Sequence, residues 1–186
     1  MKNVQKKHKN LKTFLKGVVK LQQIKMFNFE EYNKIRKNIE ISGKKTEIVA
    51  ISKNHLLEDV ERAILCGLEI FGENKVQEAK SKFEDIKEKN KKIKLHLTGP
   101  LQTNKINHAL RLFDVFHTLD REKLLKEFSK HPEIIEKKSF FVQLNTGKEI
   151  TKSGIFPEDL KGFLALCKSY GINNIEGLMC IPPINE

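Results

Sequence analysis

The sequence predicts an α/β protein built on a parallel sheet, and three observations carry that expectation. Short apolar runs with β-branched residues recur along the chain, Ile48-Val49-Ala50-Ile51 being the first. Runs that are apolar on both faces belong to buried parallel strands rather than half-exposed ones. These runs alternate with segments whose apolar residues fall at helical spacing, joined by short connections. That alternation describes repeated β-α units with the crossover helices outside the sheet. Finally, unusual residues collect just after the predicted strands, where both open sheets and barrels of this class place their functional groups.

The elements follow in order. Asn28 suits the cap of a helix carrying Phe29, Tyr32, Ile35 and Ile39 that ends near Ser42-Gly43. Residues 46–52 form the first strand. A helix over about 56–66 stops at Gly67, and "LEIFG" is the second strand. Asn74 opens a helix with Val76, Ala79 and Phe83 on one side, and "IKLHLTG" is the third strand. The next helix starts near Gln102 and carries Ile106, Leu110 and Leu112. "FDVFHTL" is the fourth strand, followed by Asp120 as cap of the helix "REKLLKEFSK". "SFFVQLN" is the fifth, Pro157 starts a helix with Leu160, Phe163, Leu164 and Leu166, and "NIEGLMCI" is the sixth. Six such units suit either an open doubly wound sheet or most of a (β/α)8 barrel. No GxGxxG follows the first strand, which argues against dinucleotide binding.

The formal net charge of +11 is unevenly spread. Eight lysines and no acid occupy the first 29 residues, and the remainder holds 27 basic against 24 acidic residues, a balance of +3. The basicity therefore belongs to an N-terminal extension, with no interleaving of basic and aromatic residues suited to nucleic acid. Runs such as "KFEDIKEKNKKIK" read as a solvated helix face. Residues 1–26 are expected to be a basic extension, with Leu11, Phe14, Leu15, Val18, Val19 and Leu21 suited to an amphipathic helix. Met26 is an alternative start. Residues 27–186 are expected to be one domain. No apolar run reaches membrane-spanning length, and the extension lacks a secretory pattern. Cys66, Cys167 and Cys180 show no metal or pairing pattern, so a reduced, cytoplasmic protein is expected.

A strand-end lysine is ordinarily a surface residue. Lys53 stands out by its company: Gly72-Glu73-Asn74 after strand two, Gly99-Pro100 after strand three, His117-Thr118 from strand four, Asn145-Thr146-Gly147 from strand five. Met179 and Pro182-Pro183 follow at strand six. Asn74 is read either as a partner for a ligand or as a helix cap, and Met179 as a ring-packing residue or plain core. His96 reads as a core histidine with its hydrogen bonds satisfied. Lys152 and Ser153 either face a pocket or lie in a solvated loop.

The blocks "AISKNH", "FGENKVQEAKSK", "HLTGPLQTNK", "HTLDREKL", "QLNTGKEITKSGI" and "EGLMCIP" occur in an order that resembles the pyridoxal phosphate homeostasis proteins, themselves similar to the N-terminal domain of alanine racemase. The resemblance covers about residues 28–183. It implies a (β/α)8 barrel that binds pyridoxal 5′-phosphate as an aldimine on Lys53, with Asn74 and Met179 beside the cofactor. Desolvation at an apolar barrel mouth would favour the free amine that such chemistry needs. The implied role is non-catalytic: holding and delivering the cofactor to apo-enzymes that depend on it, in a monomer or weak dimer with neither nucleic acid nor membrane as main partner. A racemase-like enzyme is the alternative, but racemisation needs an acid/base group on each face of the cofactor, and no second domain supplies one. The resemblance also implies two further strands that bring the phosphate site. These 186 residues end after the sixth strand, so the expectation is a truncated or frameshifted chain with an incomplete barrel and weak or no cofactor binding.

Overall fold

The computed structural model describes residues 27–149 and 151–182. The expected amphipathic helix before Met26, and Pro183, lie outside the described residues. The chain divides into two compact units between Lys45 and Thr46, and each is taken by itself.

In the first unit, helix α1 spans Phe29–Ser42. Asn28 caps it as expected, its side-chain oxygen accepting the Glu31 N–H at 3.1 Å, with Glu30 and Glu31 in the first turn. The rings of Phe27 and Tyr32 approach to 6.0 Å, one before the cap and one four residues after it, which fixes the entry of the chain. Gly43 ends the helix at φ 64°, a conformation costly for residues with a Cβ. None of its residues is buried. Asn28→Ala is therefore expected to cost the helix about 1 kcal/mol, read as faster hydrogen exchange at the Glu31 amide while the second unit's melting temperature stays unchanged.

The second unit holds six strands: β1 (Ala50–Ile51), β2 (Ile70–Glu73), β3 (Lys94–Leu97), β4 (Val115–Leu119), β5 (Ser139–Leu144) and β6 (Ile175–Cys180). Between them come α2 (Leu57–Leu65), α3 (Val76–Lys89), α4 (Ile106–Leu112), α5 (Glu122–Phe128), α6 (Pro132–Ile135) and α7 (Leu160–Ser169). All five ladders are parallel, and the strands lie in the order β1-β2-β3-β4-β5-β6. A doubly wound sheet reverses its order at a switch point. This sheet never does, so every crossover turns the same way and the helices gather on one face, the winding of a (β/α) barrel.

The core fills the space between that face and the helices. Phe71 of β2 meets Phe83 of α3 with ring centres 5.4 Å apart. Phe116 of β4 stacks on Phe140 of β5 at 5.5 Å, and Phe128 of α5 packs edge-on against both at 5.2 Å. Leu95 and Leu97 of β3 are fully buried beside them. Each such side chain contributes roughly 1.5–3 kcal/mol of burial free energy. The alternate positions, among them Gly72, His96, His117, Phe141, Gln143 and Met179, share the opposite face by register.

Four details differ from the sequence expectation. β1 is two residues long rather than seven, because a ladder exists only where β2 supplies a partner, Ala50 to Phe71 and Ile51 to Gly72. Asp120 does not cap α5: Arg121 is the cap residue, and the Asp120 carboxylate pairs instead with the Arg121 guanidinium. Asn74 likewise leaves the cap position of α3 to Lys75. The short α6, started by Pro132, went unforeseen.

Candidate functional site

Lys53, Asn74 and Met179 all come to the carboxyl end of the sheet, Lys53 just beyond β1, Asn74 directly after β2 and Met179 within β6. β1 and β6 are the two edges of the sheet, so Lys53 and Met179 stand at opposite margins, with Asn74 one strand inside Lys53. Ladder pairing continues past β1 through Ser52, whose N–H donates to the Gly72 carbonyl at 2.9 Å. Lys53 follows immediately and is exposed; the desolvation expected of it is absent. Among the described residues it takes no part in the ion pairs formed at this end of the sheet.

Asn74 is not the helix cap; it lines a pocket. Its side-chain oxygen accepts the Thr98 hydroxyl at 2.9 Å, and both residues line a cleft of about 230 Å³ with Gln143, Asn145, Lys152 and Ser153. The cleft exists because two loops approach without side chains. A Cβ on Gly99 would lie 2.4 Å from the Asn74 carbonyl oxygen. One on Gly154, at φ 120°, would lie 2.7 Å from the Asn145 amide nitrogen. Asn145 Nδ2 donates to the Glu149 carbonyl at 2.8 Å, and Gln143 Nε2 to the Ser153 carbonyl at 3.1 Å, so amides from β5 and its end hold this loop in place. Lys152 pairs with Glu149 at 2.7 Å. Arg121 ties the next loop down by donating to the Leu101 carbonyl at 2.6 Å. Burial pushes the Asp120 carboxyl up, and the Arg121 charge works against it.

Below this rim lies a pair of imidazoles. His96 of β3 is buried, as a satisfied core histidine should be, and its Nδ1 lies 2.9 Å from His117 Nε2 of β4. His117 also stacks on Phe141 of β5 at 4.6 Å, the planes 8° apart. Burial, then the neighbouring His117 and Lys94, push His96 down to about 4 against the pull of Asp114 and Glu176. Burial lowers His117 as well. Both rings are neutral at physiological pH, their planes tilted 35° to one another. Met179 stands half-buried on the same face, opposite Gln143 in the ladder.

One feature of the site escaped the sequence altogether. Lys82, the first residue of the tract expected to be a solvated helix face, is 8% exposed and reaches Glu73, which is wholly buried, at 2.9 Å. It also bonds Glu78 at 2.8 Å and the Ser52 carbonyl at 2.7 Å. The available signal was the Glu78–Lys82 spacing of four, which puts both on one turn-to-turn row of α3. Among the described residues no cluster of histidine, cysteine or acidic side chains is arranged to hold a metal ion, and no helix is long and apolar enough to cross a membrane.

The family model described as "Alanine racemase, N-terminal domain" matches residues 30–185. The chain belongs to that family. Its curated relatives include the pyridoxal phosphate homeostasis protein of Buchnera aphidicola subsp. Schizaphis graminum, 35% identical over 150 residues, covering 77% of this chain and 62% of that protein. The homeostasis protein of Buchnera aphidicola subsp. Baizongia pistaciae is 30% identical over 183 residues, 98% of this chain and 73% of that one. Against the first of these, this family member spans less than two thirds of the relative's length. Among solved structures it resembles PipY of Synechococcus elongatus PCC7942. The form without PLP superposes at TM-score 0.73 and 28% identity, covering 88% of this chain and 73% of PipY. The form with PLP bound gives TM-score 0.68 and 27% identity, covering 85% and 72%. The barrel-type winding and the family are thus those that the motif blocks imply.

Proposed function

We propose that this chain is a pyridoxal 5′-phosphate-holding member of the homeostasis proteins, keeping the cofactor available for apo-enzymes rather than turning over a substrate. The observation that carries this reading is the placement of Lys53. Its exposed amine follows the first strand at the carboxyl end of a barrel-wound sheet, the same end at which Asn74, Thr98, Gln143 and Asn145 line a cleft. A solved relative holds PLP.

The donor set fits the aldehyde end of that cofactor. The cofactor supplies an electrophilic carbonyl and a conjugated ring. Lys53 would hold that carbonyl through its amine, the group whose unprotonated form is nucleophilic. Asn74 offers its amide to polar atoms at the rim, while Asn145 holds the loop that borders it. Met179 offers a soft, adaptable surface to a ring from the far edge of the sheet.

The chain carries 31 lysines, so adduct formation alone decides nothing and its position must be mapped. Incubation with pyridoxal 5′-phosphate, reduction with borohydride and peptide mass mapping is expected to place the modification at Lys53 at substoichiometric cofactor. Modification spread over surface lysines, with none at Lys53, would overturn the reading.

A further inference from the structure

The backbone on either side of Lys53 is gripped by a single ion cluster, buried at Lys82 and Glu73 and half-buried at Glu78. The carbonyl of Ser52, one residue before, accepts Lys82 Nζ at 2.7 Å. The N–H of Asn54, one residue after, donates to Glu78 Oε1 at 2.6 Å. That same carboxylate oxygen accepts Lys82 at 2.8 Å, and Lys82 reaches Glu73 Oε1 at 2.9 Å. The Ser52 hydroxyl closes the ring by donating to Glu73 at 2.8 Å. Asn54 itself takes φ 63°, a turn that asparagine tolerates better than most residues. Burial works to raise the Glu78 carboxyl, but the hydrogen bonds from Lys82 and the Asn54 amide outweigh it and hold the group below the usual carboxylate range. Glu78 is therefore a carboxylate at neutral pH.

We propose that Lys82, Glu78 and Glu73 are positioning residues for Lys53, clamping the strand end before it and the turn after it so that its amine is presented from a fixed backbone. None of the three needs to touch the ligand. An amine on a loose turn must order that turn when it bonds, which weakens and slows binding, whereas a clamped one has the geometry in advance. The inference rests on the reading of Lys53 as the carbonyl-binding amine.

The test compares the parent chain with Glu78→Ala and Glu78→Gln, each at a temperature where circular dichroism shows all three folded. Glu78→Ala removes the acceptor for the Asn54 N–H, a charged acceptor whose loss is worth about tenfold or more. It is expected to speed exchange of the Asn54 amide by about that factor without any cofactor present, and to weaken and slow the borohydride-trappable adduct at Lys53 about tenfold. Glu78→Gln keeps an oxygen facing Asn54 and is expected to restore both readouts to within about threefold of the parent. A role in fold stability alone would not be rescued in this paired way. Unchanged Asn54 exchange in Glu78→Ala, or lost protection with an unchanged Lys53 adduct, would overturn the proposal. Absence of the Lys53 adduct in the parent chain itself would instead sink the cofactor reading, and this inference with it.

Discussion

Lys82→Met is expected to destabilise the folded second unit by about 3–5 kcal/mol. The reason is the partner it abandons. Glu73 is wholly buried at the end of β2; one carboxylate oxygen accepts Lys82 and Ser52, and the other has no partner. Methionine fills the space of the lysine stem but removes the ammonium that pairs with that carboxylate, leaving a buried acid with the Ser52 hydroxyl as its donor among the described residues. Glu73→Leu is the milder single change, since Lys82 retains Glu78 and the Ser52 carbonyl. The double variant Lys82→Met/Glu73→Leu is expected to recover most of the loss, to within about 1–2 kcal/mol of the parent, because a pair exchanged for apolar groups forfeits its mutual attraction and its desolvation cost together. Urea titrations of the four chains at pH 7 give the cycle. A cost below about 1 kcal/mol for Lys82→Met would mean that Glu73 is not held as a buried charge.

Stability is also expected to fall on acidification, between about pH 6.5 and pH 4, through the imidazole pair. The sign follows from proton binding. Unfolded His96 takes a proton near its ordinary value of 6.5, whereas the folded group resists until about 4. Across that window the unfolded chain binds more protons, so stability is whole above about pH 6.5, declines as pH falls, and has lost this contribution below about pH 4. The full loss from His96 alone is on the order of 3 kcal/mol. His117, lowered by its own burial, acts in the same direction. The groups facing the pair are accounted for: Lys94 adds to the resistance, Asp114 and Glu176 oppose it, and Phe141 covers His117 without charge. Depressed carboxylates such as Glu78 also weaken the fold in acid, so the informative quantity is a difference. His96→Leu is expected to flatten the pH dependence of the unfolding free energy between pH 6.5 and 4 relative to the parent. Parallel curves for the two chains would assign the acid sensitivity elsewhere.

The alternation of strands and helices was readable because it is a local property. Apolar runs and helical spacing are set by which neighbours a residue has along the chain, and each of the six strands falls where its run predicts. The extent of β1 was not readable, because Ile48 and Val49 have the composition of a strand while the ladder depends on β2 to provide partners. The direction of winding came only from the family resemblance and not from the pattern of elements: a barrel and a doubly wound sheet share the same units and differ only in the order in which they lie side by side. Within the site, Lys53 and Asn74 were accessible because strand ends can be located from sequence. Lys82 was not. It sits among lysines and glutamates that resemble a solvated face, and only the approach of β2 to α3 turns it inward. The His96–His117 contact joins residues 21 apart on adjacent strands, each of which reads singly as core. Asp120 and Asn74 have the side chains of helix caps, yet a charged neighbour claimed one and a hydroxyl across the strand ends claimed the other.

The unbroken strand order also bears on how the molecule is made. Every ladder in the sheet joins a strand to the next one synthesised, and none waits for a distant segment to return. Each pairing closes a loop no longer than one β-α unit, so the entropy cost of closure stays modest at every step. On a ribosome that releases roughly 5–20 residues each second, β2 can dock on β1, and β3 on β2, before β6 has been translated. The Lys82 cluster is complete once α3 has emerged, since Ser52, Glu73, Glu78 and Lys82 all lie within β1 to α3 or the turn between them. The lysine amine would thus acquire its scaffold ahead of the strand that carries Met179.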